Sequence, residues 1–242
     1  GLDNIDIKSC EEKNISVYPA LGANTNSVVE YVLITSMLLL RGAYQKQSEM
    51  IDGSWPRDKS SGNEISGKKL GLIGFGEIAQ KTSFLAKSFG MNVIAWSHNL
   101  TRELCKKENV IYSNEKNFFK ELDILSIHTK LSERTENFIN MEKISLMKKS
   151  SIIINTSRGP IVNEKDLIYC LENKQISGAG LDVYDIEPLP HNHPLRKMSK
   201  NINLVLTPHI GYVSEETYEK FHNGYVLAIE AFLKKKPINV LN

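Results

Sequence analysis

"GLIGFGEIAQ", residues 71–80, is the stretch that indicates the fold, because it carries the spacing Gly74-x-Gly76-x-x-Ala79. A short apolar run precedes it and a segment with helical patterning follows it. Gly74 permits a tight turn, Gly76 lets backbone N–H groups approach a pyrophosphate, and the small Ala79 lets helix and strand pack closely. The spacing alone also fits a tight turn in any α/β domain. The flanking strand and helix favour a dinucleotide-binding loop with the phosphates at the helix N-terminus.

The first turn of this helix adds two cofactor-binding candidates, Glu77 and Ile78. A carboxylate is unfavourable beside a pyrophosphate, so we expect the Glu77 side chain to point to solvent while its N–H group binds. The prediction for this turn therefore rests on the backbone rather than on side chains.

Short β-branched and apolar runs alternate with helical segments through the rest of the chain. Continuous apolar runs without polar alternation are typical of strands that are buried on both faces. The fold class predicted is therefore α/β, a doubly wound parallel sheet of the Rossmann type. The predicted strands lie at 70–74, 92–96, 109–112, 123–128, 151–156, 178–183 and 202–208.

Secondary structure is also predicted near both ends of the chain, outside the alternating region. Residues 15–18, "ISVY", predict a further short strand, and Ser27 to Glu30 has the spacing of a capping box that predicts a helix to about Gln47. Ser214, followed by two glutamates, predicts a last helix that ends near Lys235.

Composition excludes several classes of protein. The formal net charge is +2 with both signs dispersed, which gives no basic face for nucleic acid or a membrane surface. The longest apolar run, residues 31–40, is too short for a membrane span of about twenty residues. Three widely spaced cysteines favour reduced thiols in a cytoplasmic protein. The first residue is Gly1 rather than Met, which is compatible with a piece of a longer protein.

The stretch after the second predicted strand, "VIAWSHNLTR" (93–102), lacks the acidic residue that usually binds the adenosine ribose. Ser97 stands there, and a serine hydroxyl bonds a ribose hydroxyl or a 2′-phosphate and repels neither. Arg102, and His98 when protonated, are close enough in sequence to contact a 2′-phosphate. The alternative is an NAD site in which Ser97 replaces the acid and Arg102 is a solvated surface charge. NAD and NADP both stay open.

Three further segments that follow predicted strands carry candidate catalytic residues. They are "NTSRGP" (155–160), "LDVYDIEP" (181–188) and "TPHIG" (207–211). They bring Arg158, Asp182, Glu187 and His209 toward one crevice, because ligands bind outside the carboxyl ends of strands in a doubly wound sheet. Individually, each residue also fits an ordinary structural role in a polar loop. Jointly they supply an anion binder, a proton donor and a carboxylate that orients the donor, which is the equipment for reducing a 2-keto acid.

Motifs along essentially the whole chain resemble the D-isomer-specific 2-hydroxyacid dehydrogenase family, which includes phosphoglycerate dehydrogenase and glyoxylate/hydroxypyruvate reductase. They follow the family in order and spacing, and the glycine motif alone is a much weaker signal. The segments are "GLDNIDI", "SVVEYVL", "GLIGFGEIA", "INTSRGPIVNEKDL", "GAGLDVYDIEP", "HPL" and "LTPHIGYVSEET".

The resemblance implies roles for the strand-end residues. Arg158 would bind the substrate carboxylate and polarise the keto oxygen, and His209 would be the general acid/base. Glu187 would orient His209 and keep it protonated near neutral pH. Asp182 would lie near the nicotinamide carboxamide. Cofactor contacts are also expected from Thr129, Thr156, Ser157 and Gly211, as well as from Arg158 and His209.

The resemblance also implies an organisation into domains. Residues 1–24 would be a remnant of a flavodoxin-like substrate domain, 25–212 the dinucleotide-binding domain, and 213–242 a helix and tail that return to the substrate domain. Most of the substrate domain is absent from this sequence, and so is the family's usual Asp at position 97. The expected partners are a small 2-keto or 2-hydroxy acid and a second copy in a homodimer, with no nucleic acid and no membrane.

Other functions stay open on sequence grounds. Formate oxidation is less favoured, because formate enzymes of similar sequence have Gln where Glu187 stands. A cofactor-sensing binding module, as in corepressors of this fold, and a catalytically dead fragment are both compatible with the residues. "HNHP" at 191–194 resembles a metal-binding pair but lacks further ligands at suitable spacing, so no metal site is expected.

Overall fold

The structure, a computed structural model, describes residues 3–58, 61–199, 202–236 and 238–241. Within them lie seven strands: β1 Lys69–Ile73, β2 Asn92–Trp96, β3 Ile111–Tyr112, β4 Ile124–Ile127, β5 Ile152–Asn155, β6 Gly178–Leu181 and β7 Asn203–Leu206. The helices are α1 Ile7–Glu12, α2 Thr25–Arg41, α3 Ala43–Ile51, α4 Glu77–Ser88, α5 Arg102–Lys107, α6 Glu115–Phe118, α7 Met141–Ile144, α8 Glu164–Glu172, α9 Pro194–Met198 and α10 Glu215–Leu233.

All seven strands form one parallel sheet in the order β3-β2-β1-β4-β5-β6-β7. The chain builds outward from β1 to β3 and then returns to place β4 on the other side of β1. The strand order therefore reverses between β1 and β4, where doubly wound sheets bind their ligands. Each predicted apolar run overlaps one of these strands, so the predicted fold class is confirmed.

Helices cover both faces of the sheet. Gly71, Leu125, Ile153 and Ala179 are register partners on one face, and the last three belong to the main core with residues of α6, α7 and α8. Residues next to these along each strand face the opposite side of the sheet. On that side a Cβ on Gly180 would lie 2.4 Å from Thr35 Cγ2, so glycine at this position lets α2 pack directly on the sheet.

Two predictions for the N-terminal part are wrong. Residues 15–18 do not form a strand in the structure. The predicted helix begins at Thr25, so Ser27 lies inside it rather than capping it, and it is divided at Gly42, whose φ of 58° is left-handed. The Ser27 hydroxyl is instead within hydrogen-bond distance of Ser214 Oγ at 2.9 Å and Thr217 Oγ1 at 2.8 Å.

The chain divides into two compact units, one from the described residues of Gly1–Ser27 and Tyr212–Asn242 and the other from those of Val28–Gly211. The first unit contains α1 and α10, and α10 begins as predicted with Ser214 as its N-cap, accepting a hydrogen bond from the Thr217 N–H at 3.1 Å. The second unit contains the whole sheet. The assignment of the first unit to a substrate domain stays a prediction.

Within the described ranges, no single helix is long and apolar enough to cross a membrane. α2 and α3 reach that length and composition only as a pair, and they meet at a bend of 63°. Much of the α2 surface is covered by the protein itself, since Val29 and Val32 have no exposed surface.

Candidate active site

The loop after β1 approaches the loop after β4 very closely. The His128 N–H donates to the Ile73 carbonyl at 2.7 Å, and a Cβ on Gly74 would lie 2.6 Å from the His128 carbonyl oxygen. Gly74 also has φ of 85°, a left-handed conformation that side chains rarely adopt. Only glycine therefore fits at this turn, which forms the crevice where the strand order reverses.

The presence of glycine at position 76 has a different explanation from that of Gly74. It has extended backbone angles that any residue can adopt, and a Cβ there would have no atom of the described residues within 4 Å. Neither conformation nor packing within the protein explains the glycine, whereas the close approach of a ligand does. Gly76 also caps the 12-residue helix α4 without a side-chain hydrogen bond, the Glu77 side chain is exposed as expected, and Ile78 is half-buried.

The loop after β2 places the candidate 2′-phosphate residues on the surface. Ser97 is half-buried, and the exposed His98 ring lies edge-on to Trp96 with the ring centroids 4.9 Å apart. Arg102 begins α5, and its guanidinium lies over the Tyr112 ring, 5.1 Å from the centroid. A cation held on an aromatic face is preorganised at this edge of the sheet.

The loop after β5 is held by Asn155, a side chain that is 1% exposed. Its amide donates to the Arg158 carbonyl at 2.8 Å and accepts from the Ser157 N–H at 3.0 Å. The Ser157 hydroxyl donates to the Thr129 carbonyl, which joins this loop to the one after β4. Thr129, Ser157 and the half-buried Thr156 are thus brought together at the edge where the cofactor was expected.

Arg158 is placed by its own loop and by the glycine that follows it. Its Nη1 donates to the Ser157 carbonyl at 2.7 Å. A Cβ on Gly159 would lie 2.0 Å from the Tyr184 carbonyl carbon, so glycine is required for the β5 and β6 loops to touch. The contact brings the Arg158 loop against the segment that carries Glu187.

Asp182 is a buried carboxylate at the end of β6, only 2% exposed. Its Oδ1 accepts hydrogen bonds from Thr207 Oγ1 at 2.6 Å and from the Ile210 N–H at 2.8 Å. Its Oδ2 accepts from the Gly211 N–H at 2.7 Å. Both oxygens are therefore used to hold the loop after β7, a role that the sequence did not predict.

His209 lies inside that loop with φ of 56°, a left-handed conformation that is strained for a side chain with a Cβ. Its Nδ1 is 2.7 Å from Glu187 Oε2, and Glu187 Oε1 accepts from the Tyr184 N–H at 3.0 Å. Both carboxylate oxygens of Glu187 thus have hydrogen-bond partners, and Oε2 orients the His209 imidazole. The two side chains are 35% and 36% exposed, so the pair is accessible to a reactant.

Tyr184 connects three of these segments. Its hydroxyl lies 2.9 Å from the Leu181 carbonyl and 3.0 Å from the Thr207 carbonyl, which joins the ends of β6 and β7. Burial raises the pKa of Tyr184, so the phenol stays protonated and able to donate. The neighbouring backbone groups contact Gly159 and Glu187, as described above.

The arrangement supplies an acid or base with a fixed orientation after β7 and a cation after β5, two strands away in the sheet. The glycine-rich turn follows β1 at the same edge. Such a set can transfer a proton to the oxygen of a carbonyl group whose carbon accepts a hydride from a dinucleotide.

Residues 33–211 match the sequence profile of the D-isomer specific 2-hydroxyacid dehydrogenase, NAD binding domain. The chain belongs to this family. The sheet at which the site residues lie is therefore an NAD-binding domain, and the open space at Gly76 fits a dinucleotide.

Relatives of the chain carry several activities. It is 39% identical to the (S)-sulfolactate dehydrogenase of Chromohalobacter salexigens and 37% identical to the hydroxypyruvate reductase of Thermotoga maritima. Each match covers 91% of this chain and 71% of the relative. The crystal structure of the TT0316 protein from Thermus thermophilus superimposes with a TM-score of 0.91 at 30% identity, covering 100% of this chain and 76% of that one.

The roles that the family resemblance implies for Arg158, Glu187 and His209 stay predictions, although the structure pairs the last two. Sequence reasoning missed Asn155, Tyr184 and Thr207. Each lies within a quoted family motif, but their hydrogen bonds reach other loops and leave no local pattern.

His193, the second histidine of "HNHP" (191–194), has a structural role. His193 Nδ1 accepts from the Leu195 N–H at 3.3 Å and caps α9, and its Nε2 is 2.9 Å from Glu164 Oε1. The described residues include no group of three or more His, Cys, Asp or Glu that could hold a metal ion.

His128, at the end of β4, generates a prediction about pH. Its Nε2 is 2.9 Å from the Oγ of the fully buried Ser126, and burial lowers the pKa of His128 from 6.5 to about 4. Below pH 6.5 the His128 side chain binds a proton in the unfolded chain but not in the folded chain. The free energy of unfolding therefore decreases as the pH is lowered, until the pH reaches the folded-state pKa of about 4. We expect this residue to remove about 2 kcal/mol of the free energy of unfolding between pH 7 and pH 5.

Urea unfolding at pH 7, 6 and 5 measures this effect. His128→Gln should flatten the pH dependence, whereas His222→Gln, a change at an exposed helix position, should leave it as in the parent. An unchanged pH dependence in His128→Gln would show that the proton is bound elsewhere.

Proposed function

We propose that this chain is an oxidoreductase that uses NAD or NADP to interconvert a 2-keto acid and its D-2-hydroxy acid. The observation that carries the proposal is the His209–Glu187 pair, 2.7 Å apart at the carboxyl edge of an NAD-binding domain. Family membership supports the reaction class. The glycine-rich turn and the Arg158 loop at the same edge support a cofactor and an anionic substrate.

Arg158 is the proposed binder of the substrate carboxylate. A guanidinium presents a planar fork of donors that matches a carboxylate, and it also polarises a neighbouring keto oxygen. The bound nicotinamide would supply the hydride that reduces the keto carbon. Ile186 and Ile210, neighbours of the proposed catalytic pair, are 65% and 43% exposed and give the site an apolar rim.

His209 is the proposed source of the proton. With Nδ1 donating to Glu187, the transferable proton of the imidazolium is the one on Nε2. In the reducing direction Nε2–H gives its proton to the carbonyl oxygen, and in the oxidising direction neutral Nε2 takes the hydroxyl proton. The Glu187 carboxylate fixes the ring orientation and stabilises the positive charge that the ring carries before proton transfer.

The substrate class is a small 2-keto acid. Hydroxypyruvate, glyoxylate and 3-phosphohydroxypyruvate are the compounds to assay first, because the family includes enzymes for each of them. A cytoplasmic location and a homodimer are further predictions of the resemblance, and size measurement in solution tests the second.

We also infer that the cofactor pocket accepts NADPH as well as NADH. No carboxylate stands at position 97 to repel a 2′-phosphate, and Arg102 begins α5 only five residues later with its charge held over Tyr112. An acid at the ribose position favours NAD, whereas an arginine nearby accommodates the 2′-phosphate.

His209→Asn is the mutation that tests the proton-transfer role. We expect turnover of the best keto acid to fall by about 10²- to 10⁴-fold, since a positioned general acid contributes about that much. The dissociation constant for NADH should change little. His191→Asn, at an exposed position, is the matched control and should keep parental turnover.

Parental turnover in His209→Asn would contradict the mechanism. Tight cofactor binding without turnover of any of the three keto acids by the parent chain would instead indicate a cofactor-sensing module or an inactive piece.

Paired titrations with NADH and NADPH, followed by nicotinamide fluorescence at fixed ionic strength, test the cofactor inference. We expect dissociation constants within about tenfold of each other, because an acid-free ribose site discriminates weakly. Arg102→Ala should weaken NADPH binding alone, and Lys107→Ala at the other end of α5 should weaken neither. NADH binding more than 100-fold tighter than NADPH binding would show that Ser97 simply replaces the acid in an NAD site.

A further inference from the structure

We propose that Tyr31 is a positioning residue for His209, acting through Thr207 and Asp182. The proposal rests on the proposed function of His209. Tyr31 lies on α2, whereas Thr207 lies 176 positions later at the end of β7, and their hydroxyl groups are directly hydrogen-bonded.

Counting protons gives the direction of this chain of hydrogen bonds. Asp182 has no proton to give as a carboxylate, so the single proton of Thr207 Oγ1 must be donated to Asp182 Oδ1 at 2.6 Å. Thr207 then has only lone pairs to offer Tyr31. The Tyr31 hydroxyl is therefore the donor, and it fixes the rotamer in which Thr207 donates to the carboxylate.

Two observations support a phenol with a fixed position. Burial raises the pKa of Tyr31, so the group stays protonated and remains a donor. The ring also lies against the loop after β7 that carries His209, because a Cβ on Gly211 would be 3.4 Å from two ring carbons, Cγ and Cδ1. Tyr31 thus contacts the loop with its ring and reaches Asp182 through its hydroxyl.

The consequence for His209 follows from the loop geometry. Asp182 holds Thr207 on one side of His209 and Ile210 and Gly211 on the other, so the strained φ of 56° at His209 is maintained from both directions. Loss of the Tyr31 donor leaves Thr207 Oγ1 free to turn away from Asp182. The imidazole would then lose part of its alignment with Glu187, although both residues of the pair are still present.

Tyr31→Phe tests this proposal without any cofactor or substrate. The imidazole Cε1–Hε1 signal of His209, assigned by its loss in His209→Asn, is followed by NMR in the full chain. We expect the signal to move or broaden in Tyr31→Phe and in Thr207→Val. It should stay in place in Tyr169→Phe, which removes a phenol hydroxyl from an exposed position on α8. A Tyr31→Phe variant with a lower melting temperature and an unmoved His209 signal would overturn the proposal, because it would show a merely structural role.

A double-mutant cycle on turnover gives the second readout. We expect Tyr31→Phe to lower kcat by about ten- to a hundredfold with little change in the dissociation constant for NADH, as misalignment of reacting groups does. In the Thr207→Val background the same change should alter kcat by less than about twofold, since both act through one carboxylate. Multiplicative effects would overturn the proposal. If the parent chain turns over no keto acid, the proposed function fails, and the NMR comparison still decides the position of His209.

Discussion

The site depends on a single buried carboxylate, that of Asp182. A charge that is 2% exposed is tolerated only when its oxygens are hydrogen-bonded, and three donors meet this one. Two of the donors are backbone N–H groups of the loop that carries His209. The loop that carries His209 is therefore restricted to one conformation, because any other loop conformation would leave the buried Asp182 carboxylate without these donors.

Close backbone approaches bring the other functional loops to the same edge of the sheet. Gly74 lets the first loop touch the carbonyl of His128, and Gly159 lets the Arg158 loop touch Tyr184. A methyl group at either position would force these segments apart. The sheet supplies the common edge, and these glycines determine how closely the loops above it can meet.

Sequence reasoning predicted the sheet well, because buried strands leave local patterns. Each β-branched run became a strand, and the motifs that contain Arg158, Glu187 and His209 all follow strands of this sheet. The capping box at Ser27 was misread, since that hydroxyl faces Ser214 and Thr217 from within a helix that starts two residues earlier. A local pattern cannot distinguish a cap from a long-range contact.

The role of Asp182 shows the same limit within the site. The resemblance places this residue near the nicotinamide, which stays a prediction, and the structure places it directly after β6. Its use as the anchor of the 207–211 loop depends on partners 25 to 29 positions away. The contribution of Tyr31 depends on a hydroxyl 176 positions away. Only the folded chain brings these groups together.

Hydrogen exchange of the Ile210 and Gly211 amides in Asp182→Asn tests whether the Asp182 carboxylate holds the loop that carries His209. Each amide donates to the carboxylate, and a hydrogen bond to a charged group is worth about 1.5–3 kcal/mol. We expect both amides to exchange about 10- to 100-fold faster in the variant, while amides of β4 keep their parental rates. Unchanged protection of Ile210 and Gly211 would show that the His209 loop is held by something other than Asp182.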